Sequence, residues 1–346
     1  MSYTNGLDKP SDYFNTLLYT GNGSNRNITG VGFQPDWTWI KCRSASDNHI
    51  LTDAVRGANK QIFTNSTGAE LSGTTSLTAF GSDGFSLGTD SGSNGNGRTF
   101  ASWNWKAGGS ASSNSNGSIT SSVSANQDAG FSIVKWSGNG SASTIGHGLG
   151  SAPSCIITKS LGGTTSWGFY HQSIGNTKIL FFNETGTGGT HIAYWNNTSP
   201  TSSVFTVGSD SAVNHSGNDM IAYCFAEKKG YSKFGSYVGN GSTNGSYIHL
   251  GFTPAWVLIK KTNTTENWLI LDTKRGAYNF VDEFLQPNNS NAEQNHNIAG
   301  GIDVLSNGIK MRHGDGTINA SGGSYIFMAF AENPFTTSTG IPATAK

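Results

Sequence analysis

"YFNTLLYTGNGS" occupies Tyr13–Ser24, an alternating run rich in aromatic and bulky residues that closes on Gly-Asn-Gly-Ser. The arrangement returns as "FSIVKWSGNGS" at Phe131–Ser141 and "YSKFGSYVGNGS" at Tyr231–Ser242. A glycine-rich turn after a strand can cradle a phosphate, but that loop needs a lysine and a following helix. Neither follows GNGS. Asn-Gly between strands is instead the strongest short signal for a type I′ hairpin. Gly21, Gly23, Gly138, Gly140, Gly239 and Gly241 are therefore expected to shape a hairpin turn after each opening strand.

The flanks repeat as well. "GFQPDWTWIK", "LGSAPSCIITK" and "GFTPAWVLIK" follow the three turns and place Pro35, Pro153 and Pro254 at one fixed distance before Lys41, Lys159 and Lys260. Further on come "DGFSLGTDSG", "SSVFTVGSDSA" and "SNGIKMRHGDG", each ahead of a last apolar run. Fixed offsets over a period of roughly 100 residues mark a unit the size of a small domain rather than a solenoid turn. The apolar spacing is two, not 3.6, and the runs are bounded by Gly, Asn and Pro. The expected fold is all-β: three tandem antiparallel β-sandwich domains from an internal triplication, jelly-roll or immunoglobulin-like. The expected map is an N-terminal arm over 1–12, repeats over 13–107, 130–229 and 230–335, and a tail over 336–346. The Gly/Ser/Asn-rich stretch 108–129 reads as a flexible linker that leaves the first repeat free to hang.

Composition narrows function. Glycine is 47 of 346 residues and only 12% are charged, yet 11% are aromatic, which sets the chain apart from disordered sequences. Twenty-one basic and 21 acidic residues give zero net charge with no basic cluster, which argues against nucleic acid as a partner. No apolar run is long enough for a membrane helix, and the first residues lack a secretory leader, so synthesis in a cytoplasm is expected. Cys42, Cys155 and Cys224 are expected as buried thiols, with a Cys155–Cys224 bridge left open.

Candidate chemistry is sparse. Asp53 and Arg56 in "TDAVRG" recur as Asp272 and Arg275 in "LDTKRG", and the middle unit has His171 and Ile174 there instead. Partners present and absent together point to a structural salt bridge across a turn, with Gly57 and Gly276 supplying positive φ. "GSDSAVNHSGND" and "RHGDGTINASGG" offer oxygens that could ligate Ca²⁺, but without EF-hand spacing; otherwise no cofactor is expected. No zinc spacing, nucleophile elbow or opposed carboxylate pair stands out. The chain is thus expected not to be an enzyme. Of the nine tryptophans, Trp103, Trp105, Trp136, Trp167 and Trp195 fall where units differ. Any exposed among them would suit carbohydrate or protein contact.

"GVGFQPDWTWIKCRSASDNHILTDAVRGANKQIF", "SDGFSLGTDSGSNGNGRTFASWNWKAGG", "GYSKFGSYVGNGS" and "YIFMAFAENPF" together resemble a family of uncharacterised repeat proteins in tailed phages, notably phages of marine bacteria. The resemblance covers nearly the whole chain. It implies a virion structural protein encoded among tail or fibre genes, with no catalytic residues to carry over. The expectation is a virion-surface component made in the bacterial host cytoplasm. It would belong to a tail fibre or tail tip, contacting other virion proteins and a host surface glycan or protein, as a homo-oligomer such as a trimer. A capsid decoration or head-fibre protein is the alternative, ahead of a polysaccharide depolymerase or a carbohydrate-binding module.

Overall fold

The Pro-to-Lys stretch of each unit folds as a strand buried on both faces, and this sets the architecture. Along Trp37–Cys42, Trp37 and Trp39 point to one side and Ile40 and Cys42 to the other. Along Cys155–Ser160 the two sides take Cys155 with Ile157, and Ile156. Along Phe252–Lys261 they take Trp256 with Leu258, and Val257 with Ile259. Period-two alternation with both faces apolar is what a strand between two cores requires.

The computed structural model describes residues 6–295 and 301–345. Among them no helix exceeds four residues, and every ladder between the named strands is antiparallel. Each unit has a principal sheet in which the last strand lies between the opening strand and the Pro-to-Lys strand. Thr99–Trp105 sits between Phe14–Thr20 and Trp37–Cys42; Asp219–Phe225 sits between Phe131–Ser137 and Cys155–Ser160; Ser324–Pro334 sits between Ser232–Val238 and Phe252–Lys261. Registers match: Trp37 opposes Trp105, Cys155 opposes Phe225, and Trp256 opposes Phe330. A smaller two- or three-stranded sheet packs outside each principal sheet and encloses a private core.

The inner faces of the three principal sheets meet in one shared core. Trp37 stacks on Tyr223 of the second unit at 4.6 Å between ring centroids, and Trp105 meets Trp256 of the third edge-to-face at 5.6 Å. The second and third units close the circuit through Phe225 and Phe330 at 5.7 Å. The first unit is therefore packed against both others rather than hanging on a linker.

Four sequence expectations need correction. Residues 108–129 contain the strands Ser112–Asn114 and Ser121–Asn126, which extend the middle principal sheet beyond Phe131–Ser137. GNGS is not a hairpin turn: it carries the chain from the principal sheet to the outer sheet, as Phe14–Thr20 and Arg26–Thr29 belong to different sheets. Cys155 faces the shared core and Cys224 the private one, so the sheet itself separates them and both are free thiols. Gly57 does have φ +99°, whereas Gly276 does not; a Cβ there would come within 2.7 Å of Val281 Cγ1, so close packing selects it.

Candidate functional site

Each GNGS crossover is held by one buried asparagine. Asn94, Asn214 and Asn319 are all fully buried. Their Oδ1 atoms accept from the main-chain N–H of Asn22 (3.1 Å), Asn139 (3.2 Å) and Asn240 (3.0 Å). Their Nδ2 groups donate to the carbonyls of Ser24 (2.7 Å), Ser141 (2.7 Å) and Ser242 (2.8 Å). The first glycine of each turn passes so close to this loop that a Cβ would lie 2.2 to 2.4 Å from a carbonyl oxygen, of Gly95, His215 or Ala320. The second glycine of each turn has φ near +70° (+68°, +67° and +70°).

Four residues before each asparagine stands Asp90, Asp210 or Asp315. Each of these carboxylates accepts from a main-chain N–H two residues ahead, on Gly92, Ala212 and Thr317. The two loops considered for Ca²⁺ thus spend their oxygens on capping and on the crossover. Among the described residues no group of three or more His, Cys, Asp or Glu side chains is placed to hold a metal ion.

Asp53 and Arg56 form a buried ion pair, as do Asp272 and Arg275. Arg56 also donates to Glu70 (2.9 Å) and the Leu51 carbonyl (3.1 Å). Arg275 repeats this with Glu293 (3.0 Å) and Ile270 (2.9 Å). The carboxylates reach across unit boundaries: Asp53 accepts from Tyr223 Oη at 2.8 Å, and Asp272 from Trp103 Nε1 at 3.0 Å. In the middle unit His171 takes the place of Asp53, and its Nε2 lies 3.1 Å from the carbonyl of Phe327 in the third unit. Ser173 N–H donates to His171 Nδ1, so Nε2 carries the proton and donates to Phe327. The three contacts run first to second, second to third and third to first. Ile174, in place of Arg56, packs on the shared core instead. Both carboxylates are wholly enclosed, and the contacts they make across the boundaries join units.

The lysines of the repeated register do the same. Lys41, Lys159 and Lys260 are buried, with ammonium groups aimed at carbonyls of a neighbouring unit: Ser290 (3.1 Å), Thr67 (3.1 Å) and Thr185 (2.8 Å). Six residues past each lysine a main-chain N–H donates to the same carbonyl, from Asp47, Thr165 and Glu266. Burial lowers the pKa of all three lysines to about 8. These residues showed their regular spacing in sequence but not the partners they reach in other units.

All nine tryptophans are buried, so none forms an exposed platform for carbohydrate. Trp167 and Trp268 point their Nε1 groups at carbonyls of the adjoining unit, Phe63 (2.9 Å) and Glu184 (3.0 Å). The large apolar side chains left in solvent include Tyr278, Ile341, Val238, Ile192 and Leu18. Two of the concave features lie at junctions between units. One cleft of about 280 Å³ between the first and third units is lined by Phe14, Thr16, Ala255, Thr273, Lys274 and Glu332 among others. Another of about 320 Å³ between the first and second is lined by Arg56, Lys60, Glu70, Lys135 and Asp219, whose charges are paired within it. No helix of the described residues is long and apolar enough to cross a membrane.

No curated protein and no solved structure matches the chain. A family model described as a domain of unknown function (DUF7483) matches residues 9–334, nearly the whole length, and the chain belongs to that family.

Proposed function

We propose that the chain is a non-enzymatic structural protein of a phage virion surface, a tail-fibre or tail-tip component that contacts the host. The observation that carries this reading is the placement of its chemistry. The repeated Asp, His and Lys side chains are spent on joining three sandwiches around one aromatic core, and the repeated asparagines on holding the crossover within each. A part with few flexible charged side chains and internally satisfied loops suits an exterior that must survive proteases and dilution. We further infer an internal triplication, supported by the equal registers of the three principal sheets. Its partners would be other virion proteins and a host surface glycan or protein, with assembly as a homo-oligomer such as a trimer.

Cryo-electron microscopy of the virion, with an antibody to the chain as marker, tests the reading. Labelled density on the tail or its fibres is the expected result. Density on capsomers would replace it with a capsid decoration, and absence from purified virions would end both. Release of reducing sugar from host surface glycan by the purified protein would overturn the non-enzymatic assignment.

A further inference from the structure

We propose that the free edge of the strand Phe14–Thr20 is a docking site for an extended strand of small, uncharged residues supplied by another polypeptide. The opening strands of the three units occupy equivalent places, with Thr16 opposite Trp103, Ile133 opposite Tyr223 and Phe234 opposite Met328. Each leaves one edge facing away from its own sheet partner, and an unpaired edge is a template for another strand. The molecule treats the three edges differently.

In the middle unit the chain covers the edge itself. Ser121–Asn126 pairs along it, with Ser124 opposite Ile133 and Ser122 opposite Lys135. In the third unit two side chains of the second cap the edge. Phe234 N–H donates to the Glu227 carboxylate at 3.2 Å, and the Phe234 carbonyl accepts from Gln172 Nε2 at 2.7 Å. In the first unit the outward main-chain groups belong to Thr16 and Leu18, because antiparallel pairs alternate and Tyr13 is hydrogen-bonded inward to Lys106. Among the described residues nothing bonds those outward groups of Thr16 and Leu18.

The neighbouring unit explains the difference. The counterparts of Glu227 and Gln172 are Ala107 and Ala54 at the covered edge; their small size leaves the width a strand needs. At the first unit's edge the counterparts are Glu332 and Thr273, which bond each other at 3.1 Å. Between them and Thr16 lies the 280 Å³ cleft. Thr16 is buried there, and its Oγ1 has no hydrogen-bond partner among the described residues. An open edge whose outward main-chain groups are unbonded, beside a cleft that Thr16 lines, asks for a polar main chain with small side chains. The chain's own answer at the equivalent edge is Ser-Ser-Val-Ser-Ala-Asn, with Ser124 Oγ donating to the Gly109 carbonyl at 2.7 Å. The occupant is accordingly a strand of that chemistry from a neighbouring subunit. The site holds wherever on a virion the protein resides.

A labelled synthetic peptide with the sequence of residues 118–128 serves as the probe, titrated against the full chain by fluorescence anisotropy. Saturable one-to-one binding is expected. A peptide with Ser124→Pro, and a protein with Leu18→Pro, should each bind at least about tenfold more weakly, because each removes an N–H from the new ladder only. Hydrogen exchange read by NMR should slow at Thr16 and Leu18 when peptide is added, which decides the matter even if Leu18→Pro fails to fold. No saturable binding, binding indifferent to proline in the peptide, or protection confined to Ser112–Asn114 would each overturn the proposal.

Discussion

At the residue scale the most informative side chains are Asn94, Asn214 and Asn319. Each satisfies a crossover that would otherwise leave main-chain groups orphaned in a dry interior. Asn214 accepts from Asn139 N–H and Trp136 Nε1 and donates to the Ser141 carbonyl. Asn214→Ala should cost about 2–4 kcal/mol, since a buried unsatisfied group costs roughly 1–3 kcal/mol. Ser211→Ala on the exposed rim of the same loop should stay within about 0.5 kcal/mol. The urea midpoints of the two variants check this, and an Asn214→Ala midpoint equal to that of Ser211→Ala would refute the clasp. The Asp–Arg nodes make a second expectation. Asp272→Ala leaves Arg275 buried without its closest carboxylate, and breaking such a pair costs about 3–5 kcal/mol. Removing Arg275 as well should recover part of that loss, as in the middle unit, where His171 and Ile174 stand in for both partners. A double variant no better than the sum of the singles would show that the two side chains act independently.

At the element scale, the repeated strands and their register were legible in the sequence because Pro, Lys and the alternating apolar positions keep fixed offsets. The role of GNGS was not. Asn-Gly reads as a hairpin, but what selects its first glycine is a carbonyl of a loop some 70 to 80 residues away, such as Gly95 or Ala320. The Asp-x-x-x-Asn spacing recurs at Asp90, Asp210 and Asp315 and could have pointed to it. Residues 108–129 misled for a related reason: serine and glycine are poor strand formers in isolation, and only a ready-made edge recruits them. The inward lysines belong to this scale, because each ties the end of a core strand to the next unit. Burial lowers the pKa of Lys159 to about 8 from an ordinary 10.5. The folded chain therefore binds fewer protons than the unfolded one between those pH values, and stability rises with pH across that window. Below pH 8 the full cost of burying the charge applies; above 10.5 none does. The stability of the natural chain relative to Lys159→Met should grow by about 1 kcal/mol per pH unit between pH 8 and 10.5, and be flat from pH 6 to 7. Chemical denaturation at several pH values measures it, and a gap that shrinks with rising pH would contradict the assignment.

At the scale of the whole molecule, three units that read in sequence as separate sandwiches share their largest core. Sequence could not reveal this, because a tryptophan that faces another unit looks the same as one that faces its own. Trp37, Trp39, Trp103 and Trp105 are each at most 1% exposed, and together they form the first unit's inner face. Removing the other two units would strip that face and leave Asp53 without Tyr223 and Trp103 without Asp272. An exposed apolar surface of that kind drives association rather than folding. The units should accordingly not behave as beads on a string. Calorimetry of the full chain should show a single transition whose calorimetric and van't Hoff enthalpies agree, the signature of one cooperative unit. Residues 13–107 expressed alone should be aggregated or molten, lacking the near-ultraviolet circular dichroism of fixed tryptophans. Three resolved transitions, or a soluble and cooperatively folded isolated first unit, would mean that the shared aromatic core contributes little. The joins through Asp53, His171 and Asp272 would then be contacts between finished domains rather than part of what makes each of them fold.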